Sequence, residues 1–105
     1  EFANFYCAMA YPGSKLYEMA IEKGWDLPAT WIGYSQHAYE SQPLRTDALT
    51  AAEVVDFRDK AFHRYFSHPK YLELVKKKFG QDVVDHLKEM CKIKLKRKLL
   101  EPVNV

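Results

Sequence analysis

Apolar residues recur at helical spacing along most of this chain. The pattern predicts helices over residues 14–23, 50–68, 69–80 and from residue 81 onward. In the fourth helix the apolar stripe continues to Leu95, and Lys96, Arg97 and Lys98 fall in its last turns, where basic residues suit the helix dipole. Residues 92–96 also alternate between lysine and apolar residues, as a strand with one buried face would. We prefer the helix, because the upstream period runs through them and Lys favours helices.

Residues that start and stop helices support these boundaries. Ser14 is placed to cap the first helix, and Gly24 to end it in a left-handed conformation. Thr50 and Glu53 form a capping-box pattern at the start of the second helix. Pro69 suits the first position of the third helix. The sequence therefore predicts four helices with defined N-termini.

An apolar stretch precedes the first helix. Phe2 to Met9 carries almost no charge and leads into a Pro12-Gly13 turn, so we predict a strand buried on both faces. One strand followed by one helix cannot pair the strand's own edges. We therefore expect a piece of a larger sheet or barrel, with a strand edge that would allow self-association.

Residues 25–49 show no sustained period and contain Pro28, Gly33 and Pro43. Several aromatic residues argue against a free linker: Trp25, Trp31, Tyr34 and Tyr39. We predict a surface loop with a short helical turn near residues 29–31. A stretch of this length without structure would be unusual inside a compact domain.

Composition narrows the chemistry. The 105 residues are 48% hydrophobic and 14% aromatic, enough for a packed core, and the net charge of +2 does not by itself indicate nucleic acid or a membrane. Cys7 and Cys91 are predicted to be buried free thiols, as in a cytoplasmic protein. The acidic residues suit caps and solvated faces, and the histidines form no zinc-ligand set. We predict neither a catalytic residue nor a metal site.

The order of several motifs resembles one enzyme family. Asn4-Phe5-Tyr6 followed by Tyr11-Pro12-Gly13-Ser14-Lys15-Leu16-Tyr17 is similar to the sixth strand and PG(S/T)xLY turn of cobalamin-binding radical S-adenosylmethionine (radical SAM) enzymes. Further segments resemble the C-terminal region of that family: Trp31-Ile32-Gly33-Tyr34-Ser35-Gln36, Pro43-Leu44, Phe57-Arg58-Asp59-Lys60-Ala61-Phe62 and Lys96-Arg97-Lys98-Leu99-Leu100. The family's CxxxCxxC loop and cobalamin domain are not in this sequence.

The resemblance implies a fold and a parent enzyme. We expect a mainly α protein: a small helical domain of about four helices, preceded by one short strand left over from a (β/α) barrel. Residues 1–24 would be the last strand and helix of the barrel, 25–49 an aromatic-rich connecting loop, and 50–105 a C-terminal helical domain. The parent would use a [4Fe-4S] cluster, S-adenosylmethionine and cobalamin, whereas this fragment would bind no cofactor and be inactive alone. Its partners would be the upstream barrel and cobalamin domain of the same chain.

The resemblance also supplies candidate site residues. The C-terminal ends of barrel strands face the active site, so Tyr6, Cys7, Met9 and Tyr11 are candidates for lining the cofactor or substrate pocket of the parent. In the loop, Tyr34, Gln36 and His37 are candidates on the substrate side. An alternative function is a non-catalytic helical module that binds a protein or RNA through its aromatic loop and basic C-terminal helix. We do not expect a membrane partner, and of these partners nucleic acid is the one least favoured by the near-neutral charge.

Overall fold

Four α-helices carry the fold of the residues that the structure describes. The computed structural model describes residues 3–101. The α-helices are α1 (Lys15–Lys23), α2 (Ala51–Ser67), α3 (Pro69–Phe79) and α4 (Gln81–Lys92), and short 3₁₀ helices cover Trp31–Tyr34 and Lys98–Leu100. The mainly helical class is therefore confirmed.

The predicted caps form as expected. The Ser14 hydroxyl accepts a hydrogen bond from the Tyr17 N–H at 3.2 Å, and Gly24 ends α1 at φ 68°. At the start of α2 the Glu53 N–H donates to Thr50 Oγ1 at 3.1 Å, while the Thr50 N–H donates to Glu53 Oε1 at 3.2 Å. These bonds satisfy N–H groups that a helix end leaves without partners.

The predicted opening strand is wrong. Among residues 3–10 no strand is assigned, and Phe2 lies outside the described residues. Burial alternates instead: Cys7 and Met9 are buried, whereas Tyr6 and Ala8 are exposed. This is the period of an extended segment with one face covered, because successive side chains point to opposite sides. Partners other than a strand bind this backbone, so the structure gives no support to a barrel origin.

The end of α4 also differs from the prediction. The helix stops at Lys92, and Ile93 is extended at φ −82° and ψ 117°. Residues 93–97 are neither helix nor strand. The basic segment is thus not the end of a helix. Its Arg97 is buried, which a solvated helix terminus would not allow.

The chain divides into two compact units. Of the described residues, 3–5 and 59–94 form the helical unit, and 6–58 with 95–101 form the loop unit. In the helical unit the core is Phe66, Val75, Val84 and Leu87. The loop unit has two buried clusters, one built on Cys7, Met9 and Val55, the other on Ala10, Ala20 and Leu44.

Helix α2 carries one large ring that the structure leaves exposed. Phe57 is 73% exposed, whereas Val55 and Phe66 are fully buried. Successive residues of an α-helix are about 100° apart around its axis. Phe57 lies two positions from Val55 and therefore projects from nearly the opposite side.

Among residues 3–101, none of the helices is both long and apolar enough to cross a bilayer.

The capping box provides a stability test. We expect Thr50→Ala to lower the free energy of unfolding by about 1 kcal/mol, because the Glu53 N–H loses its acceptor. Thr30→Ala is the matched control, since Thr30 precedes a 3₁₀ helix without a side-chain cap bond. Urea unfolding of both variants measures the difference. Equal midpoints for the two variants would contradict a stabilising cap at Thr50.

Candidate functional site

The side chain of Gln36 joins the two groups of predicted site residues. Its Oε1 accepts a hydrogen bond from the Cys7 N–H at 2.9 Å, and its Nε2 donates to the Cys7 carbonyl at 3.0 Å. The same Nε2 lies 3.4 Å from the Tyr11 hydroxyl. A carboxamide places an acceptor oxygen and a donor NH₂ group side by side, so it can bond the N–H and C=O of one residue, as a neighbouring strand would.

A second backbone contact holds the same segment. The Leu44 N–H donates to the Ala8 carbonyl at 3.0 Å. Both backbone groups of Cys7 and the carbonyl of Ala8 therefore bond to the loop in place of a strand ladder. Buried backbone groups without partners would each cost about 1–3 kcal/mol. This explains how the extended segment stays packed in the absence of a neighbouring strand.

Exposed rings lie beside this junction. Tyr11, Tyr34 and Trp31 form a row, which we call the aromatic row, with ring centroids 5.7 Å apart for Tyr11–Tyr34 and 6.1 Å for Trp31–Tyr34. Trp31 is 78% exposed and Tyr11 47% exposed. Tyr6, also largely exposed, makes an edge contact with the His37 ring at 6.3 Å. Such rings offer flat apolar faces with phenol and imidazole groups at their edges.

Two of the predicted pocket residues are buried and do not belong to the surface of exposed rings. The side chains of Cys7 and Met9 pack into the cluster around Val55, with Tyr34 and Val54 against it. They support the surface on which the rings lie. Burial raises the pKa of the Tyr34 phenol above its usual 10.0, and the nearby Tyr17 adds to the shift.

Sequence reasoning missed two buried arginines at this site. Arg97 donates through Nη1 to the carbonyls of Gln36 at 2.8 Å and Ala38 at 3.1 Å. Arg58 Nη2 lies 3.3 Å from His37 Nε2. The only sequence signal was that position 97 holds Arg within a run of lysines, since a guanidinium can donate to several acceptors in one plane.

Glycine shapes the loop before Gln36. A Cβ on Gly33 would lie 2.4 Å from the Cβ of Pro28, so no other residue fits there without movement. The Gly33 carbonyl accepts from the Gln42 N–H at 2.8 Å. The predicted helical turn thus lies at Trp31–Tyr34, slightly later than expected, and the close packing of Gly33 sets the position of Tyr34.

The described residues do not form a binding site for an iron–sulfur cluster. Within residues 3–101 no group of three or more His, Cys, Asp and Glu lies close enough to hold a metal ion. Cluster ligation requires several cysteines together, whereas Cys7 is buried in the loop unit and Cys91 belongs to the helical unit. No chemical step is therefore assigned to a cluster on these residues.

Comparison with known proteins returns no relative: no family model, curated protein or solved structure matches the chain. The radical SAM resemblance accordingly stays a prediction from the motifs quoted above. What the geometry establishes is a surface of exposed rings. Gln36 bonds the backbone of Cys7 at this surface. Arg97 in turn bonds the backbone of the loop that carries Gln36.

The Gln36 contact gives a second stability prediction. Gln36→Ala should lower the free energy of unfolding by about 2 kcal/mol, because two part-buried hydrogen bonds to Cys7 are lost. Amide exchange at Cys7 should accelerate in the same variant. Urea unfolding and exchange followed by NMR check both effects.

Gln42→Ala serves as the matched control, because the Gln42 side chain is half-buried and makes no hydrogen bond with residues 3–101. We expect it to change stability by less than about 1 kcal/mol. If the two variants were equally destabilised, the hydrogen bonds between Gln36 and Cys7 would not be the reason that Cys7 stays packed.

The pKa of Tyr34 predicts a dependence on alkaline pH. A raised pKa in the folded state means that folding favours the neutral phenol, so this stabilisation is complete below pH 10.0 and is lost as pH rises through the folded-state pKa. Tyr34→Phe removes the titrating group. The variant's stability should therefore fall less steeply than that of the parent protein above pH 10.0. Urea unfolding at several alkaline pH values measures the two slopes, and parallel slopes would contradict the assignment.

Proposed function

We propose that this chain is the C-terminal region of a cobalamin-binding radical SAM enzyme. In this proposal the loop unit forms part of the wall around the active site, and the rings of Tyr6, Tyr11 and Trp31 face that site. The helical unit has a structural role. The chain alone does not catalyse the reaction.

The main support is the junction at Gln36. Cys7 lies in the segment that resembles the last barrel strand, and Gln36 lies in the aromatic stretch that resembles the family's C-terminal region. Although 29 positions separate them, the carboxamide of Gln36 bonds both backbone groups of Cys7. Residues from two family-like segments therefore lie together, as residues of one pocket wall would.

The proposed parent chemistry belongs to cofactors held by other parts of the protein. A [4Fe-4S] cluster, S-adenosylmethionine and cobalamin would supply reductive cleavage of S-adenosylmethionine and radical chemistry such as methyl transfer. The protein contributes binding, orientation and exclusion of water in such enzymes. In this chain the aromatic row would bind and orient the ligand and exclude water, because its rings can cover a reactive ligand and carry no charge.

The buried contacts would hold this wall in a fixed position. Cys7 and Met9 pack with Val55 beneath the exposed rings, and Arg97 fixes the carbonyls of the loop. A wall built in this way changes little when a ligand arrives. Pre-organisation of this kind lowers the entropic cost of positioning a substrate.

A non-catalytic interaction module is the second candidate. It is favoured by the exposure of Trp31, since large aromatic residues commonly anchor protein interfaces. The version that used a basic C-terminal helix is not retained, because residues 93–97 are not helical. An exposed aromatic anchor for a protein partner remains as the alternative.

The decisive experiment uses the full gene product. We expect the coding sequence upstream of Glu1 to contain a CxxxCxxC motif. We also expect the anaerobically reconstituted protein to form 5′-deoxyadenosine from S-adenosylmethionine with a reductant. Replacing Tyr11 or Trp31 with Ala should lower turnover of the enzyme's substrate by about tenfold, equivalent to about 1.4 kcal/mol of barrier.

Phe79→Ala is the control, because Phe79 is a comparably exposed ring in the helical unit. It should leave turnover within about twofold. An upstream sequence without the cysteine motif would refute the enzyme proposal. Failure of the reconstituted protein to form 5′-deoxyadenosine would also refute it. Binding of a partner protein that depends on Trp31 would then favour the interaction module.

A further inference from the structure

The helical unit contains a pocket that the proposed function does not use. It has a volume of about 300 Å³ and lies between the end of α2, α3 and α4; its lining residues are Phe66, Ser67, Leu72, Lys88, Cys91 and Lys92. This volume is at the lower end of the range for small-molecule sites, about 300–1,000 Å³. The pocket lies wholly within residues 59–94.

The floor of the pocket is apolar. Phe66 is fully buried, and Leu72 and Cys91 are half-buried against the same core. Burial raises the pKa of the Cys91 thiol, as expected where water is partly excluded. An apolar body of a ligand would therefore replace water at this floor favourably.

The mouth of the pocket is basic. Lys88 and Lys92 are four residues apart on α4, a spacing at which like charges repel along a helix. Lys92 pairs with Glu89 at 2.7 Å, but both side chains are 70% exposed, so the pair is weak. Lys88 has no hydrogen-bond or ion-pair partner among residues 3–101.

The surrounding charge has the same sign. Residues 59–94 contain nine Lys or Arg and five Asp or Glu, a formal net charge of +4. An anion placed between Lys88 and Lys92 would relieve their repulsion and be favoured by this wider field. A cation would meet the opposite conditions, and a neutral ligand would gain only the apolar contact.

We propose that this pocket binds a small amphiphilic anion. Its apolar chain lies against Phe66, Leu72 and Cys91, and its acidic head group lies between the ammonium groups of Lys88 and Lys92. The proposal is independent of the radical SAM interpretation, because it uses only contacts within the helical unit.

Octanoate is the probe, with octan-1-ol and octylammonium as head-group controls of equal chain length. We expect octanoate to bind at least tenfold more tightly than either control, measured by NMR titration of the whole chain. At saturation it should slow alkylation of Cys91 by iodoacetamide at least fivefold, as followed by mass spectrometry.

Charge variants locate the head group. The double variant Lys88→Gln/Lys92→Gln should weaken octanoate binding at least tenfold. The matched control Lys76→Gln/Lys77→Gln removes the same charge from exposed positions on α3, outside the pocket, and should leave affinity within threefold.

Several results would overturn the proposal. These are no saturable binding of octanoate at millimolar concentration, equal affinity for octan-1-ol, and equal effects of the two double variants. Unchanged alkylation of Cys91 at saturation would place the ligand elsewhere and would likewise reject the pocket. Far-ultraviolet circular dichroism of each variant verifies that the helices are retained.

Discussion

The loop unit depends on hydrogen bonds that satisfy the backbone of Cys7 and Ala8. An extended segment that packs one face into a core must find partners for its buried N–H and C=O groups. Here the carboxamide of Gln36 supplies both partners for Cys7, and the Leu44 N–H supplies one for Ala8. Packing of Cys7 and Met9 against Val55 depends on these bonds, because the core can form only where the backbone is satisfied.

The loop that carries Gln36 is held in turn by a buried guanidinium. Arg97 is 2% exposed and donates to the carbonyls of Gln36 and Ala38, while the neighbouring Lys98 N–H donates to the Tyr39 carbonyl at 2.9 Å. A buried charge is tolerated only with hydrogen-bond partners. Segments far apart in sequence, around residues 7, 36 and 97, therefore form one connected structure.

The two units differ in charge and in the ligands that they suit. The loop unit presents exposed rings, and its residues 6–58 and 95–101 contain seven Lys or Arg and eight Asp or Glu. The helical unit is basic and carries an open, largely apolar pocket. Rings over a rigid base suit a flat or apolar ligand, whereas lysines at the mouth of an apolar pocket suit an amphiphilic anion. The small net charge of the whole chain conceals this division.

Local chemistry in the sequence determined the helix starts, because a cap such as Ser14 or Thr50 acts on N–H groups within three residues of itself. The motif resemblance, in contrast, pointed to the two segments that meet at the candidate site. The partner of the opening segment, the exposure of Phe57 and the burial of Arg97 were decided only by the tertiary structure. Each of these features depends on residues distant in the chain. The side chain of Gln36, for example, takes the place of a neighbouring strand, and the hydrophobic pattern of the sequence does not predict such a contact. Periodicity reports which face of an element is apolar, whereas the fold decides which groups that face meets.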